Sequence, residues 1–146
     1  MRTLHQQNSR ITAVVLSSAL ALVAACSSMS ALSETLTLSG TNEVPPVTTS
    51  ATGTANVTIG ADRSVKATVT TSGMTPTASH IHMGAAGSNG PVIVPFTKSG
   101  DNAFASGADA KLTEEQYAAY KAGNLYVNVH SAKDPGGEIR AQLKGS

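Results

Sequence analysis

The sequence predicts an all-β domain, an antiparallel Greek-key sandwich or barrel with one short helix. Three observations predict it. Apolar and polar residues alternate with period two in one short run after another from Glu34 onward. Clusters of Gly, Pro, Asn and Asp separate those runs at short intervals. Only the segment around Thr113 carries the chemistry that starts a helix.

Taken in order, Thr35-Leu36-Thr37-Leu38 is the first alternating run. Asn42 to Val47 contains Pro45 and Pro46, which remove ladder donors, so it is not a central strand. Gly53 to Ile59 and Ser64 to Thr71 alternate, with Gly60-Ala61-Asp62-Arg63 as a hairpin loop between them. Ala78 to Met83 is the next strand. The Gly84–Gly90 loop after it is read as a turn needing positive φ, since it lacks the lysine and helix of a phosphate loop. Pro91 to Thr97 follows, with Val92, Val94 and Phe96 expected on one face, then a short run from Asn102 to Ser106.

Thr113-Glu114-Glu115-Gln116 is a capping box, with Leu112 and Tyr117 placed as its hydrophobic staple. Gly123 is a natural stop, which allows about three turns. Leu125, Val127 and Val129 then alternate with Tyr126, Asn128 and His130. Ile139, Ala141 and Leu143 alternate with Glu138, Arg140 and Gln142 across a Pro/Gly turn. With no Trp and 3% aromatic residues, the core is expected to be Val, Ile, Leu and Ala.

The first residues set a compartment. Arg2 and Arg10 precede an apolar run, Ile11 to Ala25, too short to span a bilayer comfortably. Leu22-Val23-Ala24-Ala25-Cys26 resembles a bacterial lipobox, so residues 1–25 are expected to be a lipoprotein signal peptide, with Cys26 lipidated. Residues 26–33 form a small polar tether and residues 34–146 the domain. The expected location is the bacterial cell envelope, with the lipid as membrane anchor and the domain facing the periplasm or the surface. Ser27 leans towards the outer membrane. Loss of Arg2 and Arg10 takes two charges from the formal +1 of the chain. The resulting −1 leaves no footprint for nucleic acid. A lone cysteine makes no internal disulfide.

The sharpest chemistry is in the histidines. His80 and His82 are two apart on one strand, so they share a face about 7 Å apart at Cβ while Ile81 points away. His130 comes from a distant strand. Three imidazoles suit copper first, by affinity order, and zinc second. Glu138 is expected either to be a further ligand or to orient His130 through its free ring N–H. Met83 offers a thioether, but it follows His82 directly and so points to the opposite face. Glu43 is read as a carboxylate that fixes a loop through backbone N–H groups, Asn128 as a hydrogen-bond partner on the histidine face, and Arg140 as the partner of an acid such as Glu138. There is no G-x-S-x-G elbow, and the folded domain has no cysteine nucleophile. An enzyme is therefore not the leading expectation.

These residues carry a family likeness. Gly40-Thr41-Asn42-Glu43-Val44-Pro45-Pro46-Val47 resembles the opening signature of the CHRD domain, the repeat first recognised in chordin. His80-Ile81-His82-Met83-Gly84 with Asn89-Gly90-Pro91 is similar to its central motif. Leu125 to His130 with Gly137-Glu138-Ile139-Arg140 is similar to its closing one, although Ala141 stands where the family usually has glycine. The resemblance implies a superoxide-dismutase-like or immunoglobulin-like barrel in an extracellular setting more firmly than it implies an activity. In arrangement alone, His-x-His plus a remote histidine is similar to the copper site of copper–zinc superoxide dismutases. That family's bridging histidine, further zinc ligands and disulfide have no counterparts here, so a dual-metal dismutase is not expected. The leading expectation is an envelope-anchored binding protein whose ligand is copper. The alternatives are a protein-interaction or matrix module without metal and a mononuclear copper redox enzyme.

Overall fold

A computed structural model describes residues 31–145. The expected signal peptide, residues 1–25, and the expected lipidation site, Cys26, lie outside the described residues. Eight strands form a closed antiparallel barrel: β1 Leu32–Ser39, β2 Thr52–Ile59, β3 Val65–Ser72, β4 Pro76–Met83, β5 Val92–Gly100, β6 Ala103–Ser106, β7 Leu125–Ser131 and β8 Ile139–Gln142. The order around the barrel is β1-β2-β3-β6-β5-β4-β7-β8. β4, β5 and β6 form a meander. β7 crosses back to lie beside β4, and β3 lies beside β6, which gives two overlapping Greek keys. Of the sandwich and barrel alternatives, the chain adopts the closed one, which leaves no free sheet edge.

Alternation of the pleat explains the interior. Leu36, Leu38, Ala55, Val57, Val69, Ile81, Val127, Val129 and Ile139 point inward and are buried. Their partners on the outer face of β1, β2 and β3 are mostly threonines. β1 begins at Leu32, so Leu32 and Ser33 pair with Ile59 and Thr58 instead of belonging to the tether. Val92 departs from its expected face. A bulge between Ile81 and His82 pairs Ile81 with Val94 and His82 with Val92. The skipped residue turns Val92 outward, where it is 47% exposed, while Ile93 packs towards the core.

The helix, α1 (Glu114–Lys121), has the expected capping box, with Gln116 N–H donating to Thr113 Oγ1 and Thr113 N–H donating to Gln116 Oε1. At 8 residues it is shorter than three turns. It ends at Lys121, before Gly123. Its buried Tyr120 donates a hydrogen bond to Glu34 across the barrel end.

Leu38→Ala should destabilise the domain by about 2–5 kcal/mol, because it opens a cavity at a fully buried site. Thr113→Ala should cost about 1 kcal/mol. Urea unfolding checks both, and equal effects would contradict the burial pattern described.

Candidate metal centre

The outer faces of β4, β7 and β8 carry the polar residues. His80 lies opposite Asn128, which lies opposite Arg140; His82 lies opposite Tyr126, which lies opposite Gln142. His130 lies opposite Ala78, whose small side chain leaves room for a ring. The three histidines therefore meet. One nitrogen from each of His80, His82 and His130 lies within 4.8 Å of the other two. His80 Nδ1 is 3.1 Å from His130 Nε2.

Backbone carbonyls fix the rings. His82 Nδ1 is 2.9 Å from Gly90 O, and His130 Nδ1 is 2.9 Å from Pro135 O. A carbonyl only accepts, so both Nδ1 atoms carry a proton, and in a neutral ring Nε2 is then the nitrogen with the lone pair. His82 Nε2 is buried and makes no hydrogen bond of ordinary geometry; the Asn128 side chain, whose Oδ1 is likewise unpaired, is a polar neighbour of the ring. An unprotonated, desolvated nitrogen aimed at two other imidazoles is what a metal ion satisfies. Nitrogens each about 2 Å from one ion lie at most about 4 Å apart, so binding needs a closure of about 1 Å. Desolvation, with the neighbouring His130 and His82, pushes the His80 imidazole down to about 4. Burial also lowers His82. Both rings are thus neutral at pH 7, as ligation requires.

The loop between β4 and β5 forms one wall. Gly90 sits so close to β4 that a Cβ there would run into the Met83 carbonyl. Gly87, with φ 77°, needs the left-handed conformation. The glycines of this loop thus serve two purposes, close approach and turn. Gly90 N–H donates to Tyr126 Oη at 3.2 Å, and the Tyr126 ring stacks on His82 with centroids 4.8 Å apart. Tyr126 was not among the expected site residues. Its place in the alternation with Asn128 and His130 was the signal that pointed to it. The Gly90 and Pro135 carbonyls carry no sequence signal.

The other expected residues divide. Met83 packs against the core, away from the histidines. Glu138 does not join the histidine group. Its Oε1 accepts from Thr49 Oγ1 at 2.6 Å, and it neither ligates nor orients His130, whose Nδ1 is held by Pro135. The reason lies in the turn. β8 starts only at Ile139, so Glu138 is outside the regular alternation. Desolvation would raise its carboxyl, but hydrogen bonds with Ser131 and Thr49 hold it below the ordinary value.

Arg140 pairs with no acid; among the described residues the ion pair found is Lys133–Asp134. Its guanidinium donates instead to Ser88 O, Ala85 O, Asn89 Oδ1 and Gln142 Oε1. Glu43 is buried, and its Oε1 lacks a partner. Burial pushes its carboxyl up to about 7, against the pull of Arg140, the Val44 backbone and Asn128. Gly137, at φ 131°, leaves the space that Glu43 fills: a Cβ there would lie 2.5 Å from Glu43 Oε1 and 2.7 Å from Asn128 Nδ2.

Fold and site together define a class, a small antiparallel β-barrel with a trio of histidines on its outer wall. The CHRD domain family profile matches residues 35–143, and the chain belongs to that family. No curated protein matches the chain, and no solved structure does.

Glu43 has a consequence for pH. Its folded value lies above its ordinary 4.5, so between pH 4.5 and about 7 the folded state holds a proton that the unfolded chain has released. Stability from this group is therefore lost as pH rises through that window. Glu43→Gln should remove the slope and be more stable than the wild type at pH 8, on the order of 1 kcal/mol after solvent screening. Urea midpoints at pH 4.5 and 8 test it; an unchanged difference between the two proteins would refute it.

Proposed function

We propose that this CHRD-domain protein is a metal-binding protein of the bacterial cell envelope, holding copper through His80, His82 and His130. One observation carries the reading: His82, whose buried Nε2 makes no hydrogen bond of ordinary geometry, lies in one group with two further imidazoles. The donor set is all nitrogen, with no carboxylate or thiolate in the group. Imidazole donors suit copper and zinc, and at a given site the affinity order places copper above zinc. The reading includes anchoring by a lipid on Cys26. The apolar run ending in small residues before the lone cysteine supports this.

A metal-free protein-interaction module is the second reading. The contact between His80 Nδ1 and His130 Nε2 favours it, because it satisfies two of the three nitrogens without an ion.

Titration of the purified protein with Cu(II), Cu(I) and Zn(II) separates the two readings. Micromolar or tighter binding should fall at least tenfold in both His80→Ala and His130→Ala. No binding at millimolar metal would leave the interaction module standing alone.

A further inference from the structure

We infer that Arg140 sets the charge of the ion this centre prefers, favouring the cuprous over the cupric form. The inference rests on the copper reading above and deepens it.

Arg140 is 1% exposed, yet among the described residues its guanidinium has no carboxylate within ion-pair distance. Its acceptors are the Ala85 and Ser88 carbonyls, the Asn89 and Gln142 side-chain oxygens, and the face of Tyr126. All are neutral, so they solvate the positive charge without cancelling it.

That charge is aimed at the histidine group. Arg140 Cζ lies 3.4 Å from the centroid of the Tyr126 ring, and the His82 ring lies 4.8 Å from the same centroid at an interplanar angle of 6°. A guanidinium and an imidazole at those distances cannot share one face of a phenol ring, so they sandwich it. Tyr126 is 2% exposed, so the space between cation and ligand is dry protein, where charges are weakly screened. Through Asn128, Arg140 also belongs to the row of cross-strand partners that contains His80.

The nearby acid does not neutralise it. Glu43 is the buried carboxyl whose value Arg140 pulls down, and burial still holds it well above the ordinary carboxylate range, so it offsets the charge only in part. The three histidines bring no negative charge themselves. An ion bound here therefore meets a net positive field. A dipositive ion is repelled about twice as strongly as a monopositive one. At an effective dielectric near 20 and a separation of roughly 8–10 Å, the difference is worth about a twentyfold change in relative affinity. The claim concerns which ion binds, and no electron transfer at the site is implied.

The same residue has a second contact with the site. Its hydrogen bonds to Ala85 O, Ser88 O and Asn89 Oδ1 brace the loop that delivers Gly90 O to His82. A bracing role alone would weaken binding of both ions together. Only the charge changes their ratio.

The test compares Cu(I) and Cu(II) affinities, measured with competing chelators under anaerobic conditions, in the wild type, Arg140→Gln and Arg140→Lys. The wild type should bind Cu(I) more tightly than Cu(II). The affinity ratio should fall about twentyfold in Arg140→Gln, equivalent to a drop of about 77 mV in the one-electron potential. Arg140→Lys should largely keep the ratio, even where losing the brace weakens both affinities. A wild type that prefers Cu(II) overturns the inference without any variant, and so does a ratio unchanged in Arg140→Gln or lowered equally in Arg140→Lys. Failure of the wild type to bind either ion removes the copper reading itself, whereas tight binding without the expected ratio removes only the role of Arg140.

Discussion

The register between β4 and β7 is the constraint on which the rest depends. It sets His80 against Asn128, His82 against Tyr126 and Ala78 against His130. Because side chains alternate with period two, a slip of one residue would send His130 into the core and Val129 out to water. The fold resists that slip through its apolar set. Ile81, Val127 and Val129 are all 0% exposed. Each is worth about 1.5–3 kcal/mol of burial, and the slip would forfeit it. The chemistry of the outer wall is thus held in place by the hydrophobic interior behind it. Closing of the barrel reinforces this, since β4 and β7 each have a neighbour on their other side.

A second layer of order comes from groups that accept hydrogen bonds but carry no charge. Gly90 O and Pro135 O each hold one Nδ1, and so determine which nitrogen of His82 and His130 faces the group. The two carbonyls sit on loops. Those loops are in turn fastened by side chains from the barrel wall: Arg140 and Gln142 on the segment after β4, and the hydroxyl of Ser131 on the turn before β8. The ring orientations are therefore set by distant parts of the chain. Asn89 adds a cross-link, donating to Val44 O at 2.7 Å while its Oδ1 accepts from Arg140. The Pro-containing segment after β1 and the loop after β4 close over the same wall.

Much of this was legible in the sequence, and the boundary of legibility has a physical cause. Strand positions, the inward set and the shared face of His80 and His82 follow from period-two alternation, which a strand obeys wherever it is regular. The capping box at Thr113 is local chemistry and could be read directly. The likeness to the CHRD domain was legible in the same motifs. What alternation could not give were the positions where regularity stops. The bulge at β5 reversed Val92, and the late start of β8 removed Glu138 from the histidine face. The meeting of His130 with His80 needed the Greek-key crossing of β7, a long-range pairing that no local pattern encodes. Arg140 was misread for a different reason. From sequence an arginine near an acid suggests an ion pair, yet a buried guanidinium is equally well satisfied by converging carbonyls.

The positions where local rules are broken cluster on one wall. Among the described residues, Glu43 Oε1, Asn128 Oδ1, His82 Nε2 and Asp134 Oδ2 are buried without hydrogen bonds, and the buried Arg140 makes no ion pair. Each unsatisfied group costs about 1–3 kcal/mol. A domain of this size has about 5–15 kcal/mol of net stability, so several such groups on one surface are a substantial burden. The inward faces of β1, β2 and β3 show no comparable exception; their buried residues are apolar throughout apart from glycine. Only His82 and Asn128 lie on the strands that bear the histidines; Glu43 follows β1, Arg140 is on β8 and Asp134 is in the turn before β8. Natural folds concentrate such violations where a ligand later satisfies them. Asn128 joins Glu43 and Arg140 to the histidine wall, because it is the cross-strand partner of both His80 and Arg140 and its side chain bonds Glu43.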